Sequence, residues 1–275
     1  MLNQHRQHLL AKFRQNSVLI RFFSSTLKAH RNFVSSVYGD NTTSTNRANQ
    51  NEHFSKTSGF QKVLLSVASA FTALLDPSRE DMVATLGETT GTIFLERIRD
   101  KMLQDKTGRR ILRDQPIINT QTIDLNFLRQ LPKTTFGSVY VGFLDKYQVT
   151  PDTRTKVQYI DDPELAYVMR RFREAHDFFH TLTNLPTTIE GELVLKWFEL
   201  AQTGLPVSLL SSLFGHLRLT SEERSRLFDV YVPWAVQCGS SSQLLMNVYF
   251  EECFEKDLDV MRKELGIYVI DELKK

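Results

Sequence analysis

The sequence predicts an all-α protein: a single helical bundle domain with a metal site carried on a helical hairpin. Three observations predict it. Apolar residues recur at helical spacing through most of the chain after Phe60. Helix start and stop signals punctuate that pattern, and no segment shows the apolar–polar alternation of a half-buried strand.

The elements follow in order. Val63, Leu64, Leu65, Val67, Ala68, Phe71, Leu74 and Leu75 read as a buried helix that stops at Asp76-Pro77, a pair that also suits an N-cap and first-turn proline. A second helix runs through Ile93, Phe94, Ile98 and Met102 and is expected to end near Gly108; a third spans Phe136 to Tyr147. Asp162-Pro163-Glu164 supplies an N-cap, a first-turn proline and an acid at the positive helix end. The helix it opens places Leu165, Val168, Phe172, Ala175 and Phe179 on one stripe and continues to Asn184-Leu185-Pro186. Thr187 with Glu190 then offers a capping box for a helix that points Ile189, Leu193, Trp197 and Leu200 inward, closed by Gly204-Leu205-Pro206. Shorter helices are expected at 206–214 and 221–237, and a long one from Ser241 to Leu265.

Charge is distributed unevenly. Residues 1–39 carry six cations (Arg6, Lys12, Arg14, Arg21, Lys28, Arg31) and no acid, with apolar residues able to line one side of a helix, which are the features of a mitochondrial transit segment. Residues 40–59 are too polar to bury anything and read as a linker or mature N-terminus, leaving 60–275 as the folded domain. Removing the six from the 34 Lys and Arg leaves 28 against 32 Asp and Glu, so the body is slightly acidic and nucleic acid is not expected as a partner. Cys238 and Cys253 form no CxxC unit and read as small core residues. No run reaches the ~18 apolar residues a spanning helix needs.

The candidate chemistry is concentrated in one place. After residue 59 the chain has only three histidines, and two of them, His176 and His180, stand four apart on one helix and therefore share a face. Asp177 lies within reach of that face. Pro186 marks the turn between two helices, and residues equidistant from a tight turn come level: His180 is six before it and Glu192 six after. Two imidazoles and two carboxylates at one level make a first shell for a divalent ion, zinc foremost, with iron or cobalt also compatible. The Glu-x-x-His pair of di-iron bundles is missing, and Asp177 stands where the His-Glu-x-x-His zinc proteases carry their glutamate base. An HD-type phosphohydrolase also uses a His-Asp pair but needs further His and Asp ligands that the sequence does not place, and it stands as a distant third reading. Lys196, one turn beyond Glu192, could steer an anionic substrate or merely add charge beside the site.

His176-Asp177-Phe178-Phe179-His180, eleven residues and Glu192 together resemble the HDxxH-x11-E signature of the fourth Coq protein, a mitochondrial coenzyme Q (ubiquinone) biosynthesis family. The resemblance spans about residues 60–267 and includes Thr135-Phe136-Gly137, Lys196-Trp197-Phe198-Glu199, Gln202-Thr203-Gly204-Leu205-Pro206, Pro233-Trp234-Ala235 and Tyr249-Phe250-Glu251-Glu252. Where the family often has a glycine, this chain keeps Asn184-Leu185. The resemblance implies a peripheral protein on the matrix side of the mitochondrial inner membrane, in a multi-subunit complex with other ubiquinone-biosynthesis proteins, and it leaves a homo-oligomer open. The implied activity is removal of the C1 carboxylate from a polyprenylated 4-hydroxy-3-methoxybenzoate; the rival expectation is a non-catalytic, lipid-binding scaffold with a structural metal. Zinc is not redox-active, so an oxidative version of the reaction would call for iron or an external oxidant. Val63–Leu75 and Leu205–Phe214 are the stretches apolar enough to line a polyprenyl channel, although such stripes are more often plain core.

Overall fold

A computed structural model describes residues 91–154, 157, 160–208 and 215–270. The transit segment, the linker, the helix over 63–75 and residues 209–214 of the expected 206–214 helix lie outside the described residues. Within them the chain is helical, and only one isolated bridge (Thr135 with Asp257) has extended pairing. No described helix is long and apolar enough to cross a membrane.

The first helix, α1 (Thr92–Gln104), buries Leu95, Ile98 and Met102, a spacing that makes one face. The expected end near Gly108 is corrected. α1 stops at Asp105, whose carboxylate caps α2 (Lys106–Asp114) by accepting from the Gly108 N–H at 2.8 Å. Gly108 lies inside α2, and a Cβ there would stand 2.3 Å from the Met102 carbonyl oxygen, so the glycine lets α2 fold back against α1. A short α3 (Leu125–Gln130), capped by Asp124, has no counterpart in the sequence reading. Helix α4 (Phe136–Tyr147) lies where the sequence predicts and ends at Gln148 in the left-handed region, φ 55°.

Asp162 caps α5 (Pro163–Glu174) by accepting from the Glu164 and Leu165 N–H groups at 2.8 and 3.0 Å. The continuous helix expected to run on to Asn184 is instead two helices, α5 and α6 (His176–Thr183). At Ala175 ψ is −8°, and the Phe178 N–H donates back to the Ala175 carbonyl at 3.0 Å, one residue short of the regular ladder. Neither proline nor glycine is needed for such a tightened turn, and the apolar stripe passes through it unbroken. α6 packs on α4 through Tyr140–Phe178 (4.5 Å between ring centres) and Phe143–His180 (5.3 Å), and it ends at Asn184, φ 57°. Asparagine tolerates this left-handed conformation better than most residues with a Cβ.

Helix α7 (Ile189–Thr203) is the central, largely buried element. The expected capping box is corrected. Thr188, not Thr187, accepts from the Gly191 N–H at 3.2 Å, while Glu190 forms a two-pronged ion pair with Arg226 at 2.9 and 2.8 Å. Ile189, expected to face inward, is 49% exposed. A Cβ on Gly191 would lie 2.2 Å from the Pro186 carbonyl oxygen, so this glycine lets the hairpin turn close on α7. α7 terminates at Gly204, φ 73°.

α8 (Ser221–Arg226), a π-helical turn (Leu227–Tyr231) and α9 (Val232–Ser241) follow as one helical path, four residues longer than the expected 221–237. α9 packs on α7, with Phe198 stacked on Trp234 at 6.4 Å. The long helix expected over 241–265 is not formed. Short turns at Leu245–Asn247 and Phe250–Glu252 precede α10 (Leu258–Leu265). Buried side chains from other helices take up the backbone groups that a helix would have satisfied internally. Gln202 donates to the Gly239 and Gln243 carbonyls (2.8 and 3.1 Å) and accepts from the Leu245 N–H at 2.8 Å, and Arg171 donates to the Val248 carbonyl at 3.1 Å.

Candidate metal centre

The start of α6 and the first turn of α7 bring His176, His180 and Glu192 together, with ligand atoms all within 4.8 Å of one another. His176 and His180 are one turn apart, with ring centres at 4.8 Å and planes nearly perpendicular. Each ring is held from behind at Nδ1. His180 Nδ1 meets the Leu185 carbonyl at 3.0 Å, and His176 Nδ1 meets Glu199 Oε1 at 2.6 Å. A carbonyl and a carboxylate can only accept, so both Nδ1 atoms carry the hydrogen, and in a neutral imidazole that leaves the Nε2 lone pair free.

Both Nε2 atoms converge on Glu192: His180 Nε2 stands 3.0 Å from Oε1 and His176 Nε2 3.4 Å from Oε2. His180 Nε2 is buried and, despite that short distance, lacks the alignment of a hydrogen bond. Two imidazole nitrogens facing a carboxylate need a positive charge between them, supplied either by a proton on a ring, toward which the raised His176 pKa leans, or by a bound cation. The donor set therefore fits a divalent cation: two imidazole nitrogens and a carboxylate, with orientation fixed from the second shell. Glu192 has a side chain 36% exposed, whereas His180 is 1% exposed, so the centre opens on the glutamate side. Burial works to raise the Glu192 pKa, but His176 and His180 outweigh it and hold the carboxyl far below the ordinary glutamate range.

Asp177 stands apart from this group. Its side chain is buried, Oδ1 takes a hydrogen bond from the Arg154 guanidinium, and Oδ2 is buried with no partner. Three of the four residues singled out in the sequence thus converge, and the fourth is paired with a cation from the loop after α4. Lys196 is also occupied: its ammonium lies 2.8 Å from Glu199 Oε2. Arg154 was missed because nothing marks a loop arginine. Glu199 was missed as well, although a signal existed: an acid seven residues after Glu192, two turns along the same helix, inside the apolar run Trp197-Phe198-Glu199-Leu200.

Glu199 is fully buried and also accepts from the Ser208 hydroxyl at 3.2 Å. Burial alone would raise its pKa, but the Lys196 ammonium, with His176, brings it down to about 2. For His176, burial and Lys196 act to lower the pKa, yet Glu199 and Glu192 prevail and raise it above the ordinary value. Burial pushes the nearby Tyr140 hydroxyl up strongly, and the Asp177 charge adds to this.

Residues 51–271 match the family model described as "Coenzyme Q (ubiquinone) biosynthesis protein Coq4". A relative from Laccaria bicolor, named ubiquinone biosynthesis protein COQ4, mitochondrial, is 53% identical over 209 residues, covering 76% of this chain and 70% of its own length. A mosquito relative from Aedes aegypti, named as the COQ4 homolog, mitochondrial, is 47% identical over 215 residues, 78% of each chain. Among solved structures, a putative ubiquinone biosynthesis protein from Nostoc punctiforme shares the fold, with a TM-score of 0.61 at 19% identity over 74% of this chain and 97% of that one. The chain belongs to the Coq4 family of coenzyme Q (ubiquinone) biosynthesis proteins.

Proposed function

We propose that this chain removes the C1 carboxylate of a polyprenylated 4-hydroxy-3-methoxybenzoate during ubiquinone synthesis, using a divalent metal, zinc foremost, held by His176, His180 and Glu192, with Asp177 as fourth ligand or as the carboxylate beside it. One observation carries the reading. Two imidazoles, each pinned at Nδ1 by a pure acceptor, aim Nε2 at a carboxylate that is itself partly open to solvent. A bound divalent ion supplies Lewis-acid stabilisation of negative charge on the substrate's carboxylate or ring oxygen. The chain's own residues do the rest. The ring-to-carboxylate bond breaks, its electron pair stays on C1, and a proton from solvent takes the place of the departing CO2. Glu192 and the imidazoles orient the centre, and Phe143, stacked on His180, offers an apolar wall beside it. In this reading the protein is peripheral to the matrix face of the inner membrane and helps to organise a multi-subunit synthesis complex with its partners. Relatives named mitochondrial support the compartment.

The test is elemental analysis coupled to CO2 release. Protein loaded with zinc, iron or cobalt and given the prenylated methoxy-hydroxybenzoate should release CO2, and chelated protein should not. Stoichiometric metal without CO2 release under any of the three ions sinks the lyase reading and leaves a lipid-binding scaffold braced by metal.

A pH dependence follows from the same geometry. His176 has a raised folded-state pKa, so in metal-free protein its stabilising contribution is complete below the unfolded value of about 6.5 and is lost as pH rises through the folded value. Metal needs the neutral ring, so metal stabilisation grows in the same direction. The Glu192 and Glu199 pKa values are lowered, so their contributions stay constant across this window. The gap in melting temperature between metal-loaded and metal-free protein should widen from about pH 6 to pH 8. A gap that narrows contradicts histidine ligation.

A further inference from the structure

Glu199 is a fully buried carboxylate two turns beyond Glu192, on the side of His176 away from the converging Nε2 atoms. Burying an acid is costly unless it is fully partnered, and here every near group is placed to hold it: Lys196 at 2.8 Å and Ser208 at 3.2 Å on Oε2, and His176 at 2.6 Å on Oε1. Lys196, at 23% side-chain exposure, reaches Glu199 from the more open side, which takes it away from a substrate-steering role. The two histidines are treated unequally. His180 leans on a neutral backbone carbonyl, whereas His176 leans on a charged carboxylate. A carboxylate behind an imidazole makes the ring a more basic ligand and locks its orientation, which a peptide carbonyl does less strongly.

We propose that Glu199, clamped by Lys196 and Ser208, is a positioning residue that fixes the His176 ring with Nε2 toward Glu192 and thereby sets how tightly a divalent cation is held. The inference rests on the metal reading above. It assigns Glu199 no contact with substrate and Lys196 the task of holding Glu199 in place.

The experiment measures cobalt and zinc affinity of the full chain by chelator competition, with the cobalt absorption spectrum as a second readout. Glu199→Gln keeps the shape and removes the charge. Glu199→Asp keeps the charge opposite Lys196 but withdraws the oxygen by roughly one bond length, about 1.5 Å. Each variant should weaken metal binding about 10- to 100-fold and change the cobalt spectrum. In a His176→Ala background, Glu199→Gln should cost no further affinity, because its effect passes through that ring. If Glu199→Gln does not fold, Glu199→Asp decides alone. Wild-type affinity in the variants that fold overturns the inference, as does an equal further loss in the His176→Ala background. Wild-type protein that takes up no cobalt or zinc overturns the metal reading and this inference with it.

Discussion

Replacing Glu192 by alanine is expected to lower metal affinity by more than the roughly 100-fold that loss of a mere supporting partner can cost, and to reduce CO2 release to background. The reason is geometric. Among the described residues Glu192 is the carboxylate on which both Nε2 atoms converge, at 3.0 and 3.4 Å, and without it two largely enclosed rings face an opening to solvent with no anion. Metal-free stability should fall less than metal affinity, because the side chain is 36% exposed and solvent screens part of its attraction to the two rings. Glu192→Ala therefore separates function from folding. His180→Ala does not, since that ring is 1% exposed and stacked on Phe143. Metal content and melting temperature of the purified variant check the expectation, and a Glu192→Ala protein with a full complement of metal and normal turnover would remove the residue from the site.

The convergence of Glu192 with the histidines was legible in the sequence, though partly for a reason the structure revises. The four-residue spacing of His176 and His180 fixes a shared helical face, and symmetry about Pro186 selects Glu192. One premise of that argument fails, since Ile189 is exposed and does not face the partner helix. Glu192 reaches the site because Thr188 starts α7 and the bare Gly191 allows the turn to close on Pro186. Asp177 and Glu199 show what spacing cannot rank. Both are acids within one or two turns of the centre. Which of them meets imidazole depends on where Arg154 and Lys196 put their charges, a matter of side-chain pairing that leaves no periodic trace.

The same division runs through the fold. Helices with a self-contained signal were readable: α4, the Asp162-Pro163 start of α5, and the Gly204 end of α7 each declare themselves in local residues. The misread elements are those decided by distant partners. Residues 241–265 carry helical spacing, but Gln202 and Arg171 draw off the backbone groups of 243–248, and the stretch becomes turns. The break at Ala175 is hidden for a different reason, because tightening one turn alters neither composition nor stripe.

Arg171 is the point at which such long-range control can be measured. Its side chain is 1% exposed; one guanidinium nitrogen donates to Glu251 Oε2 at 3.0 Å and to the Val248 carbonyl at 3.1 Å, the other donates to Glu251 Oε1, and the group lies 5.8 Å from the Phe250 ring centre. Arg171→Met keeps most of the volume and removes the charge, stranding the Glu251 carboxylate and the Val248 carbonyl. Removing one partner of a buried pair costs about 3–5 kcal/mol. The Glu251 side chain is 16% exposed and can recover some hydration, so the lower half of that range applies. For a domain of this size each kcal/mol moves the melting temperature by roughly 2–4 °C, which gives a fall of about 10 °C. Because the Arg171 carbonyl also accepts the Ala175 N–H at 2.9 Å, the loss falls on the junction from which His176 projects, and metal affinity should drop with stability. Pairing Arg171→Met with Glu251→Leu should recover most of the melting temperature, since two apolar groups strand no charge. A single variant that melts with the wild type would show that the 243–251 turns are held by their own sequence and not by Arg171.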